Sequence, residues 1–205
     1  MRDAISTRRR ILDVTQDLVI ARGFSATTVD AVIEAAGISK GAFFHHFTSK
    51  NALGQSVLER YAAADAEILE TFMTRAEAES DDPALQLITF VRMFEEASDE
   101  MFAQPGCLFV SFVYERMPDS REAHDVIRNN IELWRRRLGD KLREALKQRS
   151  QTDLDPDSLA DLMFTVFEGA FILARATNDP EHVRRQLGQY RRYLQLTLDL
   201  PPDPA

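Results

Sequence analysis

The sequence has a single cysteine, no long apolar run and no alternating strand pattern, and each shortage excludes a class of protein. Cys107 is the only cysteine among 205 residues, which excludes an internal disulfide and is typical of a reducing, cytoplasmic setting. No apolar run approaches the roughly 20 residues that a membrane-spanning helix needs. Period-two runs of Val, Ile and Thr are also absent. We therefore expect an all-α protein that has no membrane partner.

Charge is distributed unevenly along the chain, whose formal net charge is −8. Residues 1–50 hold seven Lys and Arg against five Asp and Glu, whereas the remaining residues hold 18 basic against 28 acidic side chains. A mildly basic N-terminal segment on an acidic chain is what local contact with DNA phosphates requires. The charge pattern therefore favours a nucleic-acid contact confined to the N-terminus.

Apolar residues recur at three- and four-residue spacing and predict helices throughout. The first helix is predicted over Thr7–Arg22. Thr27 with Asp30 three residues later resembles a capping box at the start of a second helix. Ser39 and Ser49 are predicted to cap a third and a fourth helix.

Later helices are predicted between proline- and glycine-containing breaks. They cover about 84–103, the segment "CLFVSFVYER" after Pro105-Gly106, about 118–149 after Pro118, about 156–177, and from Asn178-Asp179-Pro180 to just before Pro201.

The stretch "AGISKGAFFHHFTSK" at residues 36–50 combines a glycine turn with a short, partly aromatic helix. A short helix, a turn at Gly37 and a second short helix form the helix-turn-helix layout, whose second helix enters the major groove of DNA. Ala36, Ile38, Phe43 and Phe47 are predicted to hold that helix by packing inward. The opposite face is then free to meet DNA.

The same sequence also bears on three functions other than DNA binding: metal binding, catalysis and protein–protein adaptation. Neighbouring histidines such as His45 and His46 point about 100° apart on a helix, whereas metal-binding pairs prefer i, i+4 spacing, so no metal and no cofactor are predicted. No nucleophile–base pair or glycine-rich phosphate loop is present, so the chain is not expected to be an enzyme. A helical protein–protein adaptor without DNA binding remains an alternative.

The segment "TTVDAVIEAAGISKGAFFHHFTSKNAL" resembles the N-terminal domain of the TetR family of bacterial transcriptional regulators, with similarity over about 7–58. The resemblance implies a three-helix DNA-binding head over 1–50 and a larger all-helical body over 51–205 for effector binding and dimerisation. It implies a ligand-responsive repressor that binds a palindromic double-stranded DNA operator as a homodimer. Phe44 departs from the family's usual tyrosine, so a hydroxyl contact to phosphate is missing there. The operator contacts implied are Thr27 or Thr28, Ser39, Lys40, Gly41, Phe44, His45 and Lys50.

The last two predicted helices are candidates for a dimer interface, because the penultimate one is apolar on more than one face. The alternative is a helix that is simply central to its own subunit. The candidate interface residues are Leu159, Met163, Val166, Phe167, Ala170, Val183, Leu187, Tyr190 and Leu194.

The middle of the chain carries many aromatic residues, which usually form a core. By analogy with the family, some of them line a pocket for a small, largely apolar effector. The candidates are Phe90, Phe94, Cys107, Phe112, Trp134, Phe167 and Phe171.

Cys107 has a second possible role, because it follows Pro105-Gly106 at a predicted helix start, where the helix dipole lowers a thiol pKa. This start resembles a subset of the family in which a thiol senses electrophiles or oxidants. A thiol-sensing repressor of the same fold is therefore an alternative, and a buried structural cysteine is the other.

Overall fold

The computed structural model describes residues 2–98, 107–115, 121–150 and 153–201, and these are helical without any strand. The predicted all-α class is confirmed. The predicted breaks at Pro105-Gly106 and Pro118 lie outside the described residues. The helices are α1 (Arg2–Arg22), α2 (Val29–Ala36), α3 (Lys40–His46), α4 (Lys50–Glu79), α5 (Pro83–Glu96), α6 (Leu108–Tyr114), α7 (Arg121–Gln148), α8 (Pro156–Thr177) and α9 (Glu181–Thr197).

The turn from α2 to α3 follows the sequence prediction closely. Gly37 adopts the left-handed conformation, with φ 61° and ψ 43°, and so ends α2 at low steric cost. Ser39 caps α3, since its Oγ accepts a hydrogen bond from the backbone N–H of Ala42 at 3.2 Å. Ser49 caps α4 in the same way through Ala52 at 3.1 Å. Each cap satisfies a backbone donor that has no partner inside its helix.

The start of α2 differs from the prediction by one residue. Thr28 is the cap, because its Oγ1 accepts from the backbone N–H of Ala31 at 3.1 Å. Thr27 is buried instead, and its hydroxyl donates to the carbonyl of Gly23 at 2.7 Å. Burial of the first threonine thus leaves the second to cap the helix.

Two helix ends also lie elsewhere than predicted. α1 begins at Arg2, one turn or more before the predicted start at Thr7. α5 ends at Glu96 with Ala97 as its C-cap, short of the predicted end near residue 103. Residues 99–103 of the predicted helix lie outside the described residues. The described helices include none that is both long enough and apolar enough to cross a membrane.

The chain forms two compact units whose boundaries fall inside α4 and α7. One unit comprises Met1–Ala64 with Gly106–Asn129 and contains the helix-turn-helix together with α6. Its buried core includes Ile11, Val19, Val32, Phe43, Phe47, Val57 and Phe112. This unit contains the predicted DNA-binding segment 1–50 together with the first part of α4, the whole of α6 and the first part of α7.

The other unit comprises Asp65–Pro105 with Asn130–Ala205, and in it α9 packs against both α5 and α8. Tyr190 of α9 is buried, and its hydroxyl donates to the carbonyl of Leu159 in α8 at 2.9 Å. Burial raises the pKa of Tyr190, so the hydroxyl stays protonated and remains a donor. Arg191 Nε donates to Glu95 Oε1 at 2.5 Å and links α9 to α5. Together these bonds fix the register of the last helix.

Candidate functional site

The short helix α3 presents two chemically different faces. Phe43 is fully buried and Phe47, which ends the helix, is buried as well, so the predicted aromatic anchor is confirmed. Phe44 is 46% exposed, with its ring edge-on to Phe43 at 5.2 Å between centroids. Lys40 and His45 are exposed on the same helix. α3 therefore carries one cationic, one aromatic and one imidazole side chain at the surface.

The starts of α2 and α3 are exposed beside this face. Thr28 and Ser39 cap the two helices and are both exposed, as is Gly41 in the first turn of α3. Backbone N–H groups at such helix starts are suited to phosphate oxygens. Thr27 is only 2% exposed, so Thr28 is the threonine of the predicted pair that is accessible to a ligand.

Lys50, predicted as an operator contact, bonds to the turn between α1 and α2. Its ammonium donates to the carbonyl of Ser25 at 3.1 Å and lies 4.5 Å from the ring centroid of Phe24. Burial lowers the pKa of Lys50, and the negative charge of Glu115 opposes that shift. The ammonium is thus engaged by the turn between α1 and α2.

Glu115 also contacts this turn, a role that the sequence did not predict. It directly follows α6, and its Oε2 accepts a hydrogen bond from the backbone N–H of Ser25 at 2.5 Å. Phe112 of α6 packs on Phe24 of the same turn, with ring centroids 5.0 Å apart. Ninety residues separate Glu115 from Ser25, so no local pattern relates them.

Five of the predicted effector residues form one aromatic cluster in the other unit. The ring centroids of Phe90 and Phe94 lie 5.1 Å apart, and those of Phe94 and Trp134 5.6 Å apart. Phe167 continues the cluster at 6.2 Å from Phe94 and 4.9 Å from Phe171. Phe90 and Phe94 are fully buried core residues, whereas Trp134 and Phe167 are half-buried. The accessible part of the cluster is therefore its Trp134 and Phe167 side.

A carboxylate that was not predicted adjoins this cluster. Trp134 Nε1 donates to Asp65 Oδ2 at 2.5 Å. Burial raises the pKa of Asp65, although hydrogen bonds from Trp134 and Asn130 act in the opposite direction. In the sequence Asp65 lies in the alanine-rich run "AAADAE", which gives no sign of a buried carboxylate beside an aromatic cluster.

The two remaining effector candidates, Cys107 and Phe112, lie in the other compact unit. Both belong to the unit that contains the helix-turn-helix, where Phe112 packs on Phe24. Cys107 is 8% exposed and precedes α6, without a side-chain hydrogen bond that caps the helix. The predicted set of seven thus divides between the two units.

Most of the predicted dimer residues are buried inside the single chain. Only Val166 and Phe167 keep part of their surface. The most apolar stripes of α8 and α9 therefore form the core of their own unit, which is the alternative that the sequence left open. The buried residues are Leu159, Met163, Ala170, Val183, Leu187, Tyr190 and Leu194.

A separate set of apolar side chains on α8 and α9 is exposed. Ile172 and Leu173 of α8 are 60% and 41% exposed, and Tyr193 and Leu196 of α9 are 44% and 64% exposed. Exposed apolar side chains on these two helices could be buried against another chain.

Comparison with known families identifies the class. Residues 11–57 match the family described as "Bacterial regulatory proteins, tetR family". Residues 83–189, more than half of the chain, match the "Tetracyclin repressor-like, C-terminal domain". The chain belongs to the TetR family, and it is a DNA-binding transcriptional regulator.

Individual relatives are similar over most of their length. The transcriptional regulator AcuR of Cereibacter sphaeroides is 29% identical over 183 residues, which cover 87% of this chain and 81% of AcuR. The HTH-type transcriptional repressor DhaR of Mycobacterium sp. (strain GP1) is 27% identical over 179 residues, covering 85% of each chain. The HTH-type transcriptional repressor NemR of Escherichia coli (strain K12) is 21% identical over 193 residues, covering 92% of this chain and 94% of NemR.

Solved structures show the same fold. The regulatory protein TetR from Rhodobacter sphaeroides superposes with a TM-score of 0.75 at 25% identity, over 90% of this chain and 97% of that one. The reduced form of E. coli NemR superposes with a TM-score of 0.71 at 21% identity, over 91% of this chain and 97% of that one.

Proposed function

We propose that this protein is a repressor that binds a palindromic DNA operator as a homodimer and releases it when a small, largely apolar effector binds. The observation that carries the proposal is the exposed face of α3, where Lys40, Phe44 and His45 surround a helix anchored by the buried Phe43. A helix of seven residues has little stability alone, so its packing determines which face is presented. Relatives named as repressors, DhaR and NemR, support the direction of regulation.

The exposed residues suit distinct parts of DNA. Lys40 supplies a cation for phosphate, and Thr28 and Ser39 bring helix starts to the backbone. His45 offers a ring nitrogen to a base edge in the major groove. Phe44 lacks a hydroxyl, and its exposed ring is suited to apolar contact with a thymine methyl group. Phosphate contacts then set the position of the protein, and His45 and Phe44 contribute to sequence preference.

Homodimerisation is proposed to use the exposed residues of α8 and α9, with the buried stripes behind them as support. Ile172, Leu173, Tyr193 and Leu196 provide an apolar surface whose burial would favour association. A two-fold axis places the same face on both subunits and pairs two α3 helices for two half-sites. The seven buried residues expected at the interface contribute indirectly, by keeping α8 and α9 aligned.

The effector is proposed to bind at the Trp134 and Phe167 side of the aromatic cluster. Both rings are half-buried, and the carboxylate of Asp65 lies at hydrogen-bonding distance from Trp134. A small molecule with an aromatic or branched apolar body suits these rings. It acts on DNA binding only if its affinity differs between the DNA-bound and the free conformation.

Selection of bound fragments from genomic DNA tests the proposal. The full-length protein is incubated with sheared genomic DNA at moderate salt, and the recovered fragments are sequenced. We expect enrichment of a motif with two-fold symmetry, and its flanking genes then suggest effector candidates. Trp134 is the only tryptophan in the sequence, so its fluorescence reports on binding at the aromatic cluster. Recovery of random fragments alone would refute operator recognition.

A further inference from the structure

We propose that Glu115 is a positioning residue for operator recognition, which acts with Lys50 to fix the turn between α1 and α2 and thereby the start of α2. The proposal rests on the proposed function, because it assumes that α2 and α3 meet DNA. Neither residue needs to touch DNA for this role. Both belong to the same compact unit as the turn that they hold.

The first observation is that charged side chains bind both polar backbone groups of Ser25. Its N–H donates to Glu115 Oε2 at 2.5 Å, and its carbonyl accepts from Lys50 Nζ at 3.1 Å. Glu115 follows α6 and Lys50 begins α4, so two separate elements meet at one residue. Hydrogen bonds to ionised groups are stronger than neutral ones, and this pair restrains Ser25 from both sides.

The second observation is that Gly23 makes room for the carboxylate. Gly23 has φ 87°, in the left-handed region, and a Cβ built on it would lie 1.8 Å from Glu115 Oε1. Gly23 therefore adopts a left-handed backbone conformation and, because it has no Cβ, leaves the space that the Glu115 carboxylate occupies. Phe24, next along the chain, is held by Phe112 at 5.0 Å and by Lys50 at 4.5 Å.

The third observation links the turn to α2. Thr27 is buried and donates to the carbonyl of Gly23 at 2.7 Å, which closes the turn on itself. The next residue, Thr28, is the exposed cap of α2. A change at Ser25 is therefore transmitted over three residues to a group proposed to face DNA.

The inference gives Lys50 a different role from the phosphate contact expected from the sequence. Its ammonium is already bound to Ser25, lies over Phe24 and is attracted by Glu115. A phosphate would have to compete with all three. We therefore expect Lys50 to support the DNA-binding surface from within.

The test compares four variants of the full chain, E115A, E115Q, K50A and the E115A/K50A double mutant. E59A is the matched control, because Glu59 is an exposed carboxylate of the same unit whose removal changes the net charge equally. Fluorescence anisotropy measures binding to the duplex that wild-type protein selects. Titrations run at several salt concentrations, at a temperature where circular dichroism shows every variant fully folded.

We expect E115A to weaken binding about tenfold, while the slope of log affinity against log salt stays unchanged. E115Q should recover much of the loss, because its amide oxygen still accepts from Ser25. K50A should also weaken binding without changing the slope, and the double mutant should lose less than the two single losses combined, since both residues hold one turn. E59A should behave as wild type.

Two binding results would overturn the inference. E115A binding as tightly as wild type would show that Glu115 does not position the DNA-binding surface. Tighter binding with a steeper salt slope would show that Glu115 only restrains a lysine from reaching phosphate. A slope reduced by about one in K50A would make Lys50 a phosphate contact.

Amide hydrogen exchange tests the turn without DNA. Exchange at Ser25 should be faster in E115A than in wild type and close to wild type in E115Q and E59A. Unchanged exchange in E115A would overturn the inference even if operator binding is real. Conversely, failure of wild-type protein to select any duplex refutes the proposed function, and the exchange result still shows whether Glu115 holds the turn.

Discussion

Trp134 donates its indole N–H to Asp65 across 2.5 Å, so a half-buried carboxylate is held against the aromatic cluster that we propose as the effector site. The same carboxylate accepts from Asn130. A polar group at the margin of an otherwise apolar cluster gives a ligand one directional contact. Holding the Asp65 carboxylate there also costs stability, because burial disfavours its charged form.

Replacing Asp65 by asparagine should stabilise the protein near pH 7. Burial raises the native pKa of Asp65 above its usual 3.8, so the folded state binds the proton more tightly than the unfolded state. Stability is then lost as pH rises from about 3.8 through the native pKa. D65N removes this loss, and its amide oxygen can still accept from Trp134.

Urea unfolding followed between about pH 4 and pH 7 checks this prediction. The advantage of D65N over wild type should be largest near neutral pH and should shrink as pH falls. Asp17, an exposed carboxylate of α1, gives the matched control D17N. A D65N variant less stable than wild type at pH 7 would show that the charged hydrogen bonds outweigh the burial cost.

We expect the exposed residues of α3 to be of two kinds: those that contact phosphate and position the protein on DNA, and those that contact bases and set sequence preference. K40A should weaken binding to all duplexes alike and reduce the salt slope by about 0.9, as expected for one lost phosphate contact. H45A should instead change the relative affinities for duplexes that differ at one base pair, by roughly 1–3 kcal/mol at that position. Anisotropy titrations on a panel of single-substituted operators measure both. Uniform weakening by H45A would place His45 at the backbone.

Local signals explain why the helix-turn-helix was largely predictable. Gly37, Ser39 and Ser49 act on backbone groups within a few residues, so the sequence nearby contains the needed information. The choice between Thr27 and Thr28 was not local, because it depends on which side chain the surrounding core buries. Similarly, no short-range pattern could indicate that Glu115 binds Ser25, since the two residues are 90 positions apart in the sequence.

Periodicity identified buried stripes but not their partners. The spacing of Leu187 and Leu194 correctly indicated burial, yet an apolar stripe looks the same whether it packs on its own chain or on another. The exposed Ile172 and Leu196 lie off those stripes and were not among the interface residues predicted from the sequence. Distinguishing the two kinds of apolar face required the positions of neighbouring helices.

L196E should therefore impair homodimerisation without unfolding the chain. Leu196 is 64% exposed on α9, so a carboxylate there is solvated in the monomer but buried in the proposed dimer. We expect the dimer dissociation constant to rise by at least about tenfold, measured by analytical ultracentrifugation over a concentration series. L85E is the matched control, because Leu85 is an exposed leucine of α5 outside the proposed face. An equal effect of L85E, or no effect of L196E, would refute this placement of the interface.

Cys107 should react slowly with an alkylating electrophile while the protein is folded. The residue is 8% exposed, and a buried thiol is a poor nucleophile because burial in apolar surroundings disfavours the thiolate. Intact mass spectrometry after mild treatment with N-ethylmaleimide should show little modification in buffer and complete modification in denaturant. C107S should retain operator affinity. Rapid modification of the folded protein together with release of DNA would instead support the thiol-sensing alternative, since the modified residue directly precedes α6, the helix that ends beside Glu115.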